Sequence, residues 1–230
     1  MREANRTTDS HRWVRSACGL GAAIVCALLA GVPGIAHAAT QHVYPHLFGT
    51  REVRSTNLAP FPKWTGLLDR YFGEREITEG SCTATSFNRC HLDAWHELIG
   101  ELKGVDPATQ LDRVNRFMNE APYITDPRNY SLPDYWATPR QFFNRNGDCE
   151  DYAIAKFMTL RALGWPNRDM RIVVLQDLNL RIPHAILVVY RDGVAWVLDN
   201  QIEQVVTADR IRHYRPLYSV NEDSWWLHRP

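Results

Sequence analysis

The densest chemistry in this chain lies in Gly147-Asp148-Cys149-Glu150-Asp151-Tyr152-Ala153, a thiol set among three acids. A cysteine attacks as its thiolate, and a helix start favours that form through unpaired N–H groups and the helix dipole. The apolar set Ala153, Ile154, Phe157, Met158, Leu160 and Leu163, stopped by Gly164 and Pro166, predicts a buried helix with Cys149 in its first turn. The three carboxylates work against the thiolate by raising its pKa. Two readings of them stand. They cap the helix and face solvent, or they hold a divalent cation, for which carboxylate oxygens suit Ca²⁺ better than zinc. Asp151 has no assigned role.

A cysteine nucleophile also needs a base within reach and a third group to orient that base. His184 and Asp199 can supply both if Met170 to Gln176, Pro183 to Tyr190 and Val194 to Asp199 are strands, with a tight hairpin at Arg191-Asp192-Gly193. A two-residue turn at Asp192-Gly193 pairs 191 with 194 and 186 with 199, which puts His184 and Asp199 on one face along a diagonal. A three-residue loop throws them onto opposite faces, so the hairpin register is a condition on the chemistry. Singly, a strand histidine is more often structural and an Asp closing a strand more often a turn residue; the joint arrangement carries the reading. The reaction it predicts is acyl transfer. His184 takes the thiol proton, Cys149 attacks a carbonyl, and Asp199 holds the imidazole. The Cys149 backbone N–H is one oxyanion donor, and Trp136, Gln141 and Asn144 are candidates for a second.

The elements that must position these residues read as helices first and strands after. Phe61, Trp64, Leu67, Leu68 and Tyr71 have helical spacing, with Trp64 as a core anchor. Leu92 to Leu102 and a helix opening at Asp106-Pro107 follow. Ala121 to Trp136 reads as a long loop, and Thr138-Pro139 caps a short helix. This order predicts an α+β domain with the nucleophile helix packed on an antiparallel sheet. Residues 60–230 form that domain, and 39–59 an irregular N-terminal arm.

Residues 1–38 read as a secretion signal. Four arginines precede an uncharged Ala/Leu/Val/Gly run, and Ala36-His37-Ala38 fits a cleavage site; Gly31, Pro33 and Gly34 favour cleavage over a retained anchor. Cleavage takes four arginines and two acids from totals of 26 each, so the mature chain stays near neutral and carries no electrostatic footprint for nucleic acid. Hydrophobic residues at 45% and charged residues at 23% exclude a disordered or collagenous chain. In an oxidising compartment Cys82 and Cys90 are spaced to close a short disulfide loop, leaving Cys149 as the free thiol.

The 147–153 segment, with Pro183-His184-Ala185, Leu198-Asp199-Asn200, Phe61-Pro62-Lys63-Trp64 and Tyr135-Trp136-Ala137-Thr138-Pro139, resembles the bacterial transglutaminase-like cysteine proteinases, and within them the LapG type. The resemblance implies a papain-like, transglutaminase-core fold with Cys149, His184 and Asp199 as the triad. It implies calcium dependence, with Asp148 and Glu150 as metal ligands. It also implies a periplasmic protease that cuts a large surface adhesin near its N-terminus, at a small-residue site such as Ala-Ala, under an inner-membrane receptor responding to cyclic di-GMP. Two other classes remain beside it: an amidase or acyltransferase acting on peptidoglycan or another amine, and a non-catalytic calcium-responsive binding module.

Overall fold

The computed structural model describes residues 44–74 and 91–230; the predicted signal and the Cys82/Cys90 pair lie outside the described residues. Three aliphatic runs build the centre of its sheet: β2 (Met170–Asp177), β3 (Ile182–Arg191) and β4 (Val194–Leu198). The β3–β4 register runs from Arg191↔Val194 to Leu187↔Leu198, the pairing that a two-residue turn requires. Asp192 at φ 53° and Gly193 at φ 75° supply the two left-handed positions of such a turn.

The sheet is wider than the three strands expected. Residues 51–55, read from sequence as part of an irregular arm, form edge strand β1 (Arg51–Ser55) paired with β7 (Trp225–Arg229). With β5 (Val206–Thr207) and β6 (Tyr214–Val220) the order is β1-β7-β6-β2-β3-β4-β5, every pairing antiparallel.

Helices cover one face: α1 (Pro62–Glu74), α2 (His91–Leu102), α3 (Pro107–Asn119), the single turn α4 (Asp126–Asn129), α5 (Pro139–Arg145) and α6 (Cys149–Ala162). Asp106 caps α3 by accepting from Thr109 N–H at 3.0 Å, with Pro107 in the first turn. Residues 151–160 of α6 are all buried, because the helix lies between the sheet and the other helices. Its Ile154, Phe157 and Leu160 pack with Trp64, Leu67, Leu111 and Val114 against Ile172, Leu187 and Val189. Trp64 is fully buried and donates Nε1–H to Asn221 O at 2.8 Å, so it is the expected core anchor. Leu47, Ala208, Ile211 and Tyr214 cover the other face over Val173, Ile186 and Val188. Burial from both sides explains the unbroken apolar run of β3. Among the described residues no helix is long and apolar enough to cross a membrane.

Candidate active site

Cys149 is the first residue of α6. The chain reaches it from α5 through Asn146 at φ 62° and Gly147, whose carbonyl accepts from Ile124 N–H at 2.9 Å. Asp151 locks this entry. Fully buried, it accepts from Ala137 N–H at 2.7 Å through Oδ1 and from Asp148 N–H at 3.3 Å through Oδ2. The acid without a role in the sequence therefore ties the 135–138 loop to the start of α6. Gly147 leaves it room: a Cβ there would stand 2.1 Å from Asp151 Oδ2 and 2.6 Å from its Cβ.

The Cys149 thiol donates to Glu150 Oε2 at 3.3 Å. Burial, and then the Glu150 and Asp148 carboxylates, push its pKa far up, while the Ala185 N–H that faces it pulls the other way. Without a compensating charge the thiol therefore stays protonated.

His184 and Asp199 meet as the register requires. His184 Nε2 lies 2.9 Å from Asp199 Oδ1, with both residues at most 2% exposed. Asp199 is further held by Gln201 N–H on Oδ1 at 2.9 Å and by Tyr214 O–H on Oδ2 at 2.7 Å. Burial raises the Asp199 pKa, but the His184 hydrogen bond and charge, with those other donors, outweigh it and hold the carboxyl below the usual range. An ionised Asp199 only accepts, so His184 Nε2 carries the proton and Nδ1 the lone pair. Gln201 Nε2 lies 3.3 Å from that Nδ1. The structure thus joins His184 to Asp199 and sets Cys149 against Ala185, the next residue of β3, with the thiol on Glu150 and the imidazole lone pair on Gln201.

Of the side chains considered as a second oxyanion donor, Gln141 is already engaged. Its Oε1 accepts from Thr138 N–H at 3.0 Å in the capping box of α5, and its Nε2 donates to Tyr135 O–H at 3.0 Å. Trp136 is buried in the core against Trp64, and Asn144 is exposed on α5.

Asp148 and Glu150 converge with a third acid that the sequence reading missed, Asp126 at the start of α4. One carboxylate oxygen of each lies within 4.8 Å of the other two. Asp126 is 1% exposed; its Oδ2 accepts from Tyr135 N–H, and its backbone N–H donates to Asp148 Oδ2 at 3.1 Å. Asp126 Oδ1 and Asp148 Oδ1 are buried with no hydrogen-bond partner. Burial, then the Tyr135 N–H acting against it and the Asp148 charge adding to it, leave Asp126 at about 6; burial and then Asp148 push Glu150 up to about 9. Buried carboxylate oxygens left without a hydrogen-bond partner on Asp126 and Asp148, converging with Glu150, fit a hard divalent cation such as calcium, which takes oxygen ligands alone.

The model of the bacterial transglutaminase-like cysteine proteinase family matches residues 82–227. Two solved structures of Legionella pneumophila LapG align at 31% identity: one covers 70% of this chain and 87% of that one at a TM-score of 0.57, and the calcium-bound form 71% and 86% at 0.58. An EGTA-treated form aligns at 30% identity with the same coverage and TM-score as the calcium-bound form. Comparison with curated proteins gives no match. On a family match spanning more than half its length, the chain belongs to the bacterial transglutaminase-like cysteine proteinases.

Proposed function

We propose that the chain is a periplasmic, calcium-dependent cysteine endopeptidase with Cys149 as nucleophile, His184 as base and Asp199 as the group orienting it. The observation that carries this reading is the buried His184–Asp199 pair at 2.9 Å, one strand residue from the Ala185 N–H that faces Cys149. In the cycle His184 Nδ1 accepts the thiol proton and Sγ attacks the scissile carbonyl. The oxyanion lies against the Cys149 N–H at the start of α6. His184 then gives its proton to the leaving amine, and water, deprotonated by the same nitrogen, resolves the thioester. Asp199, held ionised by its donors, stabilises the imidazolium at both steps.

Asp126, Asp148 and Glu150 would hold the calcium ion, which supplies the positive charge that their carboxylates and the adjoining thiolate lack. The substrate is a large surface adhesin cut near its N-terminus at a small-residue site, and an inner-membrane cyclic di-GMP receptor holds the enzyme inactive. The likeness to LapG, solved with calcium and after EGTA treatment, supports the calcium assignment; the substrate and receptor are what the family resemblance implies. The test is cleavage of an adhesin N-terminal fragment by wild type and Cys149→Ala, each with calcium and with chelator. Cleavage by the wild type with calcium alone is expected. Cleavage by Cys149→Ala, or an amine incorporated without chain scission, refutes the reading.

A further inference from the structure

Both ends of the proton transfer are held by other groups. The thiol donates to Glu150 Oε2, and the Nδ1 lone pair of His184 faces the Gln201 amide, each at 3.3 Å. Asp199 fixes Nε2 as the protonated nitrogen, so Nδ1 is the ring's single lone pair and the one place where the thiol proton can go. Gln201 is anchored to reach it. Its backbone N–H donates to Asp199 Oδ1 at 2.9 Å, which turns the chain back over the imidazole two residues after the aspartate. His184 as a whole is only 2% exposed and its ring stands 5.7 Å from that of Tyr214 between centroids, whereas Gln201 is exposed. The Gln201 amide is therefore the part of the imidazole's surroundings that can be exchanged for solvent or substrate without opening the core.

We propose that Gln201 is a latch on the base: its side-chain amide occupies His184 Nδ1 in the resting protein and swings aside before that nitrogen takes the Cys149 proton. Gln201 is a positioning residue acting through His184, and the inference rests on the assignment of Cys149 and His184 as nucleophile and base. One hydrogen bond between neutral partners biases an equilibrium by about 2- to 12-fold. Such a latch is weak enough for an incoming peptide to open, and strong enough to lower the resting reactivity of the thiol.

The experiment is the rate of Cys149 alkylation by iodoacetamide against pH in the calcium-loaded mature chain, a reaction that needs the thiolate and neither substrate nor oxyanion. Gln201→Ala, and Gln201→Met, which keeps the length without the amide, are expected to alkylate about 3- to 10-fold faster than wild type near neutral pH. Their rise with pH should begin lower. A merely structural role would slow alkylation, or lower Tm, without moving that limb. Equal or slower alkylation in both variants, or an unmoved limb, overturns the latch. His184→Ala separates this failure from that of the assignment beneath it: if it alkylates as fast as wild type, the nucleophile and base pair itself is wrong.

Discussion

Replacing Gly147 with alanine should be among the most damaging small changes available to this fold. The added Cβ would meet Asp151 Oδ2 at 2.1 Å, Cβ at 2.6 Å and Cγ at 2.7 Å. Two of these atoms are the stem of a fully buried side chain, so rotation of its tip gives no relief. Asp151 must move, and in moving it leaves the N–H groups of Ala137 and Asp148, which it holds at 2.7 and 3.3 Å. A buried donor stripped of its partner costs about 1–3 kcal/mol, so the two together cost roughly 2–6 kcal/mol. At about 2–4 °C per kcal/mol for a domain of this size, Tm should fall by roughly 5–20 °C. Cleavage should fall with it, because the same bonds seat Cys149. Thermal melts of Gly147→Ala, Asp151→Gly and the double variant measure this. The alanine should cost far less once Asp151→Gly has removed the obstructing side chain. A Gly147→Ala protein that melts within about 1 °C of wild type, or an undiminished cost in the Asp151→Gly background, would refute the reasoning.

Asp126→Asn keeps an acceptor for Tyr135 N–H while removing one charge of the three, and calorimetric titration should show calcium affinity falling by about 10- to 100-fold or more; unchanged affinity would remove Asp126 from the site. Tyr214→Phe takes one donor from Asp199 and should lower kcat/KM by about 2- to 12-fold with Tm little changed; an unaltered kcat/KM would show that this hydroxyl does not serve the pair. Lys156 lies fully buried in α6 with Nζ unpartnered, and burial, opposed by the attraction of Asp199, pulls its pKa from 10.5 down to about 7. Its folded-state pKa is the lower one, so the stability contributed by a neutral Lys156 is fully present above about pH 10 and is lost as pH falls toward 7. Lys156→Met should therefore be stabilised by roughly 3–5 kcal/mol at pH 7, with the gain shrinking toward pH 10 in melts; an equal gain at both would show that the buried charge is not its cause.

Helices α3 and α6 were legible because their signals are local: Asp106-Pro107 opens one, and Gly164 and Pro166 close the other. The His184–Asp199 meeting was legible because the period of a strand and the turn at Asp192-Gly193 fix a face by counting. Strand β1 was not, since Arg51, Glu52 and Arg54 fill three of its five positions: the two arginines are exposed, Glu52 is turned in to the buried Arg171, and the partner strand β7 lies far along the chain. Strand β6 was hidden by Pro216. The proline sits opposite Leu175, where the β2–β6 register shifts, the kind of irregularity at which a sheet accepts a residue without an N–H. Asp126 lay within the Ala121 to Trp136 segment that reads as a long loop. Only the packing of a segment 22 residues upstream brings it to Asp148, and nothing local in the sequence signals that contact. Asp151 was ambiguous for a related reason: an acid in the first turn of a helix is ordinary, and its burial depends on a distant loop closing over it.

If Cys149 is the nucleophile, as proposed, Glu150 is where its reactivity and its acidic neighbours meet. It is both the acceptor of the Cys149 proton in the resting site, at 3.3 Å, and a member of the Asp126–Asp148–Glu150 cluster. A carboxylate pushed up to about 9 by burial and by Asp148 is protonated at neutral pH, and protons and a divalent cation compete for the same oxygens. A protonated Glu150 takes one of the three carboxylate charges out of the interior. The thiol is then desolvated beside groups that offer no positive charge to a thiolate. A cation held there would keep the carboxylates ionised and compensate them, and on the proposed assignment His184 Nδ1 would then receive the thiol proton. Acids on both sides of Cys149 are therefore what a thiol needs if its reactivity is to depend on an ion: without them nothing holds the cation, and without the cation they suppress the thiolate.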